Sequence, residues 1–165
     1  MKTLYLDTPI GRLLVIANDG QLIYCNWEEP ECNSKRTKAE GIEARLSRDK
    51  EDDNVIRETI RQLDEYFQGK RKTFDIPIKF YGNDFQKTVW KEIYKIQYGQ
   101  TISYGDLAQN CRRPRAVRAV ANACGKNPVS VIVPCHRVIA TGGKTGGYTG
   151  GIDKKIWLLQ HEKSL

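Results

Sequence analysis

The sequence predicts an α/β (α+β) protein: a small strand-rich first part with one helix, then a mainly helical part that contains a helix-turn-helix. Three observations predict it. Apolar runs at 13–17 and 22–27 flank Asn18-Asp19-Gly20-Gln21, and Asp-Gly between apolar runs is a strong hairpin signal. Ile56, Ile60, Leu63 and Phe67 recur at helical spacing, with charged residues opposite. Beyond Phe85 helical spacing dominates, broken by a capping box and a proline. The 165 residues suffice for one large domain or two small ones, with a real core.

Along the chain, Pro9-Ile10-Gly11 makes a turn ahead of the first apolar run. Residues 28–53 are polar and charge-rich and read as a surface loop, with room for a short strand or helical turn. The helix spans 54–68 and stops at Gly69. Thr73 to Ile78 reads as an edge strand, because Pro77 cannot donate to a central ladder. Gly82-Asn83-Asp84 marks a boundary, dividing the chain into domains 1–80 and 85–165. Phe85 to Ile96 forms a helix around Phe85, Val89, Trp90 and Ile93. Ser103-Tyr104-Gly105-Asp106 is a capping box opening a short helix through Gln109. Pro114 suits the first turn of the next helix, which runs to Cys124 and stops at Gly125. Val129 to Val133 is almost wholly β-branched and reads as a buried strand.

Charge is distributed unevenly. Residues 1–84 hold 14 Lys+Arg against 16 Asp+Glu, a net of −2; residues 85–165 hold 13 against 4, a net of +9, which together give the +7 of the chain. A basic half beside a neutral one points to a localised polyanion contact. No apolar run approaches the ~20 residues of a membrane span, and the N-terminal residues lack a signal-peptide pattern, so a cytoplasmic protein without a membrane partner is expected. The five cysteines, Cys25, Cys32, Cys111, Cys124 and Cys135, form no CxxC pair, and the histidines are His136 and His161 alone. Neither a disulfide framework nor a metal site is expected.

The helix after Pro114 has two faces. Val117, Val120, Ala121 and Cys124 make a core stripe; Arg115, Arg118, Ala119 and Asn122 make an outer face of positive charge, one amide and little bulk. Such a face allows close approach to a nucleic-acid backbone, which is favoured here over an ordinary solvated surface. The run Val129–Val133 ends in Pro134-Cys135-His136-Arg137-Val138. A cysteine followed by His and Arg is a candidate activated thiol, since nearby cations raise the thiolate fraction. In an extended segment neighbours point opposite ways, so a bridging water or a third residue would link His136 to Cys135. The other cysteines show no such surroundings and read as packing.

These residues resemble the O6-alkylguanine-DNA alkyltransferase family. Val133-Pro134-Cys135-His136-Arg137-Val138 is similar to its active-site motif. The likeness runs from about Phe85 to Glu162. It takes in Thr101-Ile102-Ser103-Tyr104-Gly105-Asp106-Leu107-Ala108, Arg115-Ala116-Val117-Arg118-Ala119-Val120 and Gly125-Lys126-Asn127-Pro128. It continues through Gly147-Tyr148-Thr149-Gly150-Gly151 and Lys155-Ile156-Trp157-Leu158-Leu159-Gln160-His161-Glu162. The first 80 residues match only in general pattern.

The resemblance implies single-turnover DNA repair. Cys135 would take the alkyl group from O6-alkylguanine in double-stranded DNA, with O4-alkylthymine a second candidate substrate, and no cofactor. His136 would deprotonate Cys135 through a water and Glu162 would orient His136, the base-plus-orienter logic of catalytic triads. Asn127 would hold the turn near the cysteine, and Tyr104 would support N3 of the leaving guanine and crowd the backbone phosphate. Arg118 would fill the stack left by the flipped base. Backbone groups at Cys135, Val138 and Thr149, with the Tyr148 side chain, would line the guanine pocket. The protein would act as a monomer and, like family members, bind through the minor groove, where Ala119 and Ala123 would allow close approach; it would be nuclear if its source is eukaryotic. Gly150 stands where other members carry Trp, which suggests a roomier pocket tolerant of bulky groups such as benzyl. The chain has no His before His136, so the N-terminal zinc site of some members is not expected. A cysteine hydrolase would leave the outer helix face unexplained, and a helix-turn-helix regulator would not need Cys135.

Overall fold

The computed structural model describes residues 1–28 and 50–163. Within them the chain is a mixed α/β structure with a three-stranded N-terminal sheet and five α-helices. Strands β1 (Lys2–Thr8), β2 (Gly11–Asn18) and β3 (Gln21–Trp27) form an antiparallel meander in that order. The hairpin foreseen at Asp19-Gly20 joins β2 to β3. Asp19 (φ 52°) and Gly20 (φ 68°) both take left-handed backbone, as a two-residue turn matching strand twist requires. The turn at Pro9-Ile10 joins β1, a strand the sequence signals had not delimited, to β2.

Helix α1 (Lys50–Phe67) starts earlier than position 54, with Glu51, Asp52 and Asp53 in its first turn, where acidic groups suit the helix dipole. Buried Asp52 docks that end on the hairpin, accepting the Gly20 N–H at 2.8 Å. The buried face is Asp52, Ile56, Thr59, Gln62, Leu63 and Tyr66. Ile60 and Phe67 are only half-buried, so the face is rotated from the purely apolar stripe because three polar side chains find partners inside. Residues 29–49, and with them Cys32 and most of the expected 28–53 loop, lie outside the described residues.

Thr73 to Ile78 is not a strand. Its backbone is held by a side chain instead: Gln62 donates to Asp75 O (3.2 Å) and accepts from Asp75 N (2.8 Å). A single bridge, Leu22 to Ile78, ties it to β3. Helix α2 (Asp84–Tyr94) opens on a capping box between Asn83 and Gln86. The two-residue strand β4 (Ile102–Ser103) leads into α3 (Tyr104–Asn110), whose N-cap Ser103 and Asp106 form the expected box. Helix α4 (Val117–Gly125) begins three residues past Pro114. Pro114 instead occupies a tight turn closed by Ala116 N–H to Arg113 O (2.8 Å). Arg115 therefore precedes the helix, Val117 is exposed, and Ala123 is buried, its carbonyl accepting the Trp90 indole N–H at 2.8 Å.

Val129 to Val133 is a turn rather than a strand. Val129 bridges Cys25 of β3, and Val133 N then bonds back to Val129 O (3.0 Å). Val131 sits at φ 70°, a costly setting for a β-branched residue, on the order of 1–3 kcal/mol, of the kind that clusters at functional sites. Strand β5 (Val138–Ile139) pairs in parallel with β4, and α5 (Ile152–His161) closes the described fold. One apolar core runs through both halves, joining Leu13, Leu22 and Leu63 to Trp90, Leu107, Val120 and Leu158.

Candidate active site

Cys135 opens a 3-10 turn, Cys135–Arg137, not an extended segment. The kink puts its thiol at the wall of a cavity of about 410 Å³, shared with Tyr104, Ala121, Cys124, Gly147, Tyr148 and Thr149. The sulfur is buried but held. Asn127 Nδ2 donates to Cys135 Sγ at 3.1 Å and to Val133 O at 2.8 Å, with a longer approach to Val129 O. Two N–H groups cannot serve three acceptors fully, so the closer carbonyl and the sulfur take them. Asn127 Oδ1 accepts Val129 N at 3.0 Å, which locks the amide's orientation.

Burial pushes the Cys135 thiol up from its ordinary value, while the Asn127 hydrogen bond and the Lys155 charge pull it back. The group at rest is thus a thiol that needs a base. Behind it, His136 is wholly buried and its Nε2 donates to Glu162 Oε1 at 2.8 Å. Nδ1 is then the basic nitrogen, and it has no hydrogen-bond partner among the described residues. Burial lowers the His136 pKa against the opposing pull of Glu162, so the ring is neutral and able to accept a proton.

Glu162 is the hub. Besides His136 it accepts from Arg137 Nε (2.8 Å) and Nη2 (2.9 Å), from Tyr66 Oη (2.6 Å) and from Gly99 N (3.3 Å). Burial alone would raise this carboxyl, but its bonds to His136 and Arg137 outweigh that and hold it well below the usual carboxylate range. Arg137 is thereby committed to Glu162 and to Ile96 O, not to the thiol as its sequence position suggested. The cation acting on the thiol is Lys155, completely buried, whose Nζ donates to Val138 O (2.6 Å) and Gly147 O (3.2 Å). Its Nζ also lies 5.9 Å from the Tyr104 ring centroid. Burial lowers Lys155 itself, and the neighbouring thiols oppose this. Burial pushes the Tyr104 phenol up to about 12, leaving it a neutral hydroxyl.

Of the sequence-selected residues, Asn127 bonds to the Cys135 thiol and Glu162 to His136, two pairs joined through the Cys135–His136 backbone, and Tyr104, Tyr148 and Thr149 share the cavity with Cys135. Val138 adjoins the site differently: its N–H donates to Cys135 O and its carbonyl holds Lys155. Gly150 does not enlarge the cavity. A Cβ placed there would overlap the Trp27 indole, so the space a side chain would claim is already filled. Tyr66, Lys155 and Trp27 were missed. Lys155, Leu158, Leu159 and Glu162 fall at i, i+3, i+4 and i+7, so the helical stripe carried a signal for Lys155. Tyr66 and Trp27 reach the site only through long-range packing. Among the other described cysteines, burial pushes Cys25 up to about 12 and also raises Cys111 and Cys124.

Outside the cavity, Arg118, Ala119 and Asn122 are exposed on α4, and Arg112, Arg113 and Arg115 are exposed on the turn before it. Arg112 holds a left-handed backbone (φ 56°) where glycine is the usual residue.

The chain is similar to known proteins over nearly its whole length. The family model described as 6-O-methylguanine DNA methyltransferase, DNA binding domain, matches residues 84–164. That described as 6-O-methylguanine DNA methyltransferase, ribonuclease-like domain, matches residues 1–80. A methylated-DNA–protein-cysteine methyltransferase of Methanosarcina acetivorans is 39% identical over 158 residues, 96% of each chain. The crystal structure of Mycobacterium tuberculosis O6-methylguanine methyltransferase superposes with a TM-score of 0.84 at 36% identity, over 98% of this chain and 92% of that one. Mycobacterium tuberculosis OGT in complex with DNA gives a TM-score of 0.80 at 36% identity, over 97% and 91%.

Proposed function

The chain belongs to the 6-O-methylguanine DNA methyltransferase family, and from that premise we propose that Cys135 is the residue that accepts the alkyl group. The protein carries out direct-reversal DNA repair by alkyl transfer to a cysteine. The observation that carries the assignment is Cys135 Sγ, held at 3.1 Å by Asn127 on the wall of the cavity and backed by the His136–Glu162 pair.

His136 Nδ1 takes the Cys135 proton through a water, and Glu162 stabilises the imidazolium that results. The thiolate attacks the alkyl carbon of O6-alkylguanine. A C–S bond forms, the C–O6 bond breaks, and its electron pair stays on the guanine; the base takes up one proton from water as Tyr104 supports N3, and the His136 imidazolium returns its proton to water, so the net change is the thiol proton exchanged for the alkyl group. Lys155 favours negative charge on the sulfur before attack. The product is a thioether, which offers water no carbonyl to attack, so each molecule acts once.

An O6-alkyl carbon is out of reach inside a duplex, so the nucleotide is flipped at a cost of a few kcal/mol, less for a poorly paired base. Helix α3, the Pro114 turn and α4 serve as the helix-turn-helix. Arg118 fills the gap in the stack. Arg115 and Asn122 contact the backbone, and Ala119 lets α4 approach the minor groove closely. Tyr148 and Thr149 bound the extruded base, residues 1–80 and 85–165 act as two domains, and the protein works as a monomer.

The test is intact-protein mass spectrometry after incubation with excess duplex containing one O6-methylguanine. The expected result is a stoichiometric gain of one methylene on the Cys135 peptide, lost in Cys135→Ala. Methylation at another cysteine would overturn the assignment. Repeated turnover on an ester or amide would favour a hydrolase.

A further inference from the structure

We propose that Trp27, the last residue of β3, sets the width of the alkylguanine cavity, acting through Tyr148 and against Gly150. The inference rests on reading that cavity as the seat of the alkylated base. Trp27 is nearly buried, and its indole Nε1 donates to Tyr148 Oη at 3.2 Å. Tyr148 lines the cavity that holds the Cys135 thiol. The indole atoms Cδ1, Nε1 and Cγ fill the place where a Cβ on residue 150 would stand. Positions 27 and 150 thus compete for one volume, and here the aromatic ring comes from the N-terminal sheet.

The strand end that carries the ring is tied down. Trp27 N donates to Asn26 Oδ1 at 3.0 Å, and Asn26 Nδ2 donates to Asn127 O at 3.2 Å. Ser130 Oγ donates to the same Asn26 Oδ1 at 2.9 Å. The strand end is therefore tied to the loop whose Asn127 holds the sulfur. Lys154 Nζ lies over the indole, 5.5 Å from its centroid, a cation–π contact. A wall held this way does not yield to a larger substrate, and a rigid aromatic wall discriminates by size. Trp27 is accordingly a positioning residue that limits which O6 substituents fit beside Cys135.

The experiment compares transfer rates to Cys135 from duplexes carrying O6-methylguanine and O6-benzylguanine. It uses the wild type, Trp27→Ala, Trp27→Phe, Gly150→Ala and the Trp27→Ala/Gly150→Ala double variant. Trp27→Ala is expected to raise the benzyl-to-methyl ratio about tenfold or more, the scale on which apolar pockets discriminate. Trp27→Phe keeps most of the ring but not the N–H donor, so it slows both substrates while leaving the ratio near that of the wild type. Gly150→Ala alone is expected to slow both reactions, and the double variant to recover them, because removing the indole frees the volume the new methyl needs. If Trp27→Ala does not fold, Trp27→Leu carries the same size test. An unchanged ratio in the smaller variants, with no rescue of Gly150→Ala, overturns the inference even though the wild type transfers methyl normally. A wild type that fails to methylate Cys135 would instead sink the reading on which the inference rests.

Discussion

The two halves of the chain differ in charge far more than in their closeness to the chemistry. Residues 1–84 carry a net −2 and residues 85–165 a net +9, and every residue the sequence nominated for the site lies in the second half. Yet Tyr66 of α1 bonds to Glu162, Asn26 of β3 bonds to the loop of Asn127, and Trp27 bonds to Tyr148. Charge tells where a polyanion binds. It does not tell where a cavity gets its walls. The first half is a scaffold whose far edge forms part of the site, and its contribution is geometric, which composition cannot reveal.

Substitutions sharpen this contrast, beginning with the hub. Glu162→Ala leaves His136 without its acceptor and Arg137 with only the Ile96 carbonyl and no counter-charge, and is expected to destabilise the protein by about 3–5 kcal/mol in chemical denaturation and to abolish transfer at neutral pH. The same carboxylate sets an acid limit. Its pKa is depressed in the folded state, so its contribution is fully present above the ordinary Glu value of about 4.3 and is lost as pH falls below that toward the folded value. Thermal midpoints measured between pH 7 and pH 3 should drop in the wild type, and less steeply in Glu162→Gln. Equal slopes would remove Glu162 from the account of acid stability.

Lys155→Met is the next largest change. Transfer by the wild type is expected to rise with pH as Cys135 ionises. Without the neighbouring cation the thiol pKa moves up, so the rising limb shifts to higher pH and the rate at pH 7 falls several-fold. A pH–rate profile that keeps its position would deny Lys155 an electrostatic role.

Tyr66→Phe tests whether the first half does more than support the second. Losing a buried hydrogen bond to a charged group is expected to cost about 1.5–3 kcal/mol of stability and to lower the transfer rate, with DNA affinity unchanged. A loss of DNA affinity equal to that of an α4 variant would break the contrast between the halves.

The smallest effects on the fold belong to the basic surface. Arg115→Ala and Arg112→Gly should each weaken duplex binding and reduce the salt slope by about 1, as the loss of one phosphate contact does. Arg112→Gly should do so with no loss of thermal stability, because glycine suits φ 56° better than arginine does. A binding curve unchanged at low salt would place these arginines off the nucleic acid.

The amino-acid sequence by itself determined the elements with local causes. The Asp19-Gly20 hairpin, the capping box at Ser103 and the stop at Gly69 rest on backbone preferences of a few adjacent residues. It also determined the family, because ordered motifs around Cys135, Asn127 and Glu162 leave little freedom. Only the tertiary structure decided the rest. The β-branched run 129–133 became a strained turn because Asn127 and Cys25 take its backbone partners. Pro114 fell in a turn rather than in α4, since Ala116 bonds back to Arg113. Arg137 went to Glu162 and Lys155 to the side of the thiol, and burial made those choices by requiring each charge to find a partner. Gly150, which by itself suggested room, is backed by an indole from more than a hundred residues earlier. Volume is shared between segments distant in sequence, so no local pattern could record which of them would fill it.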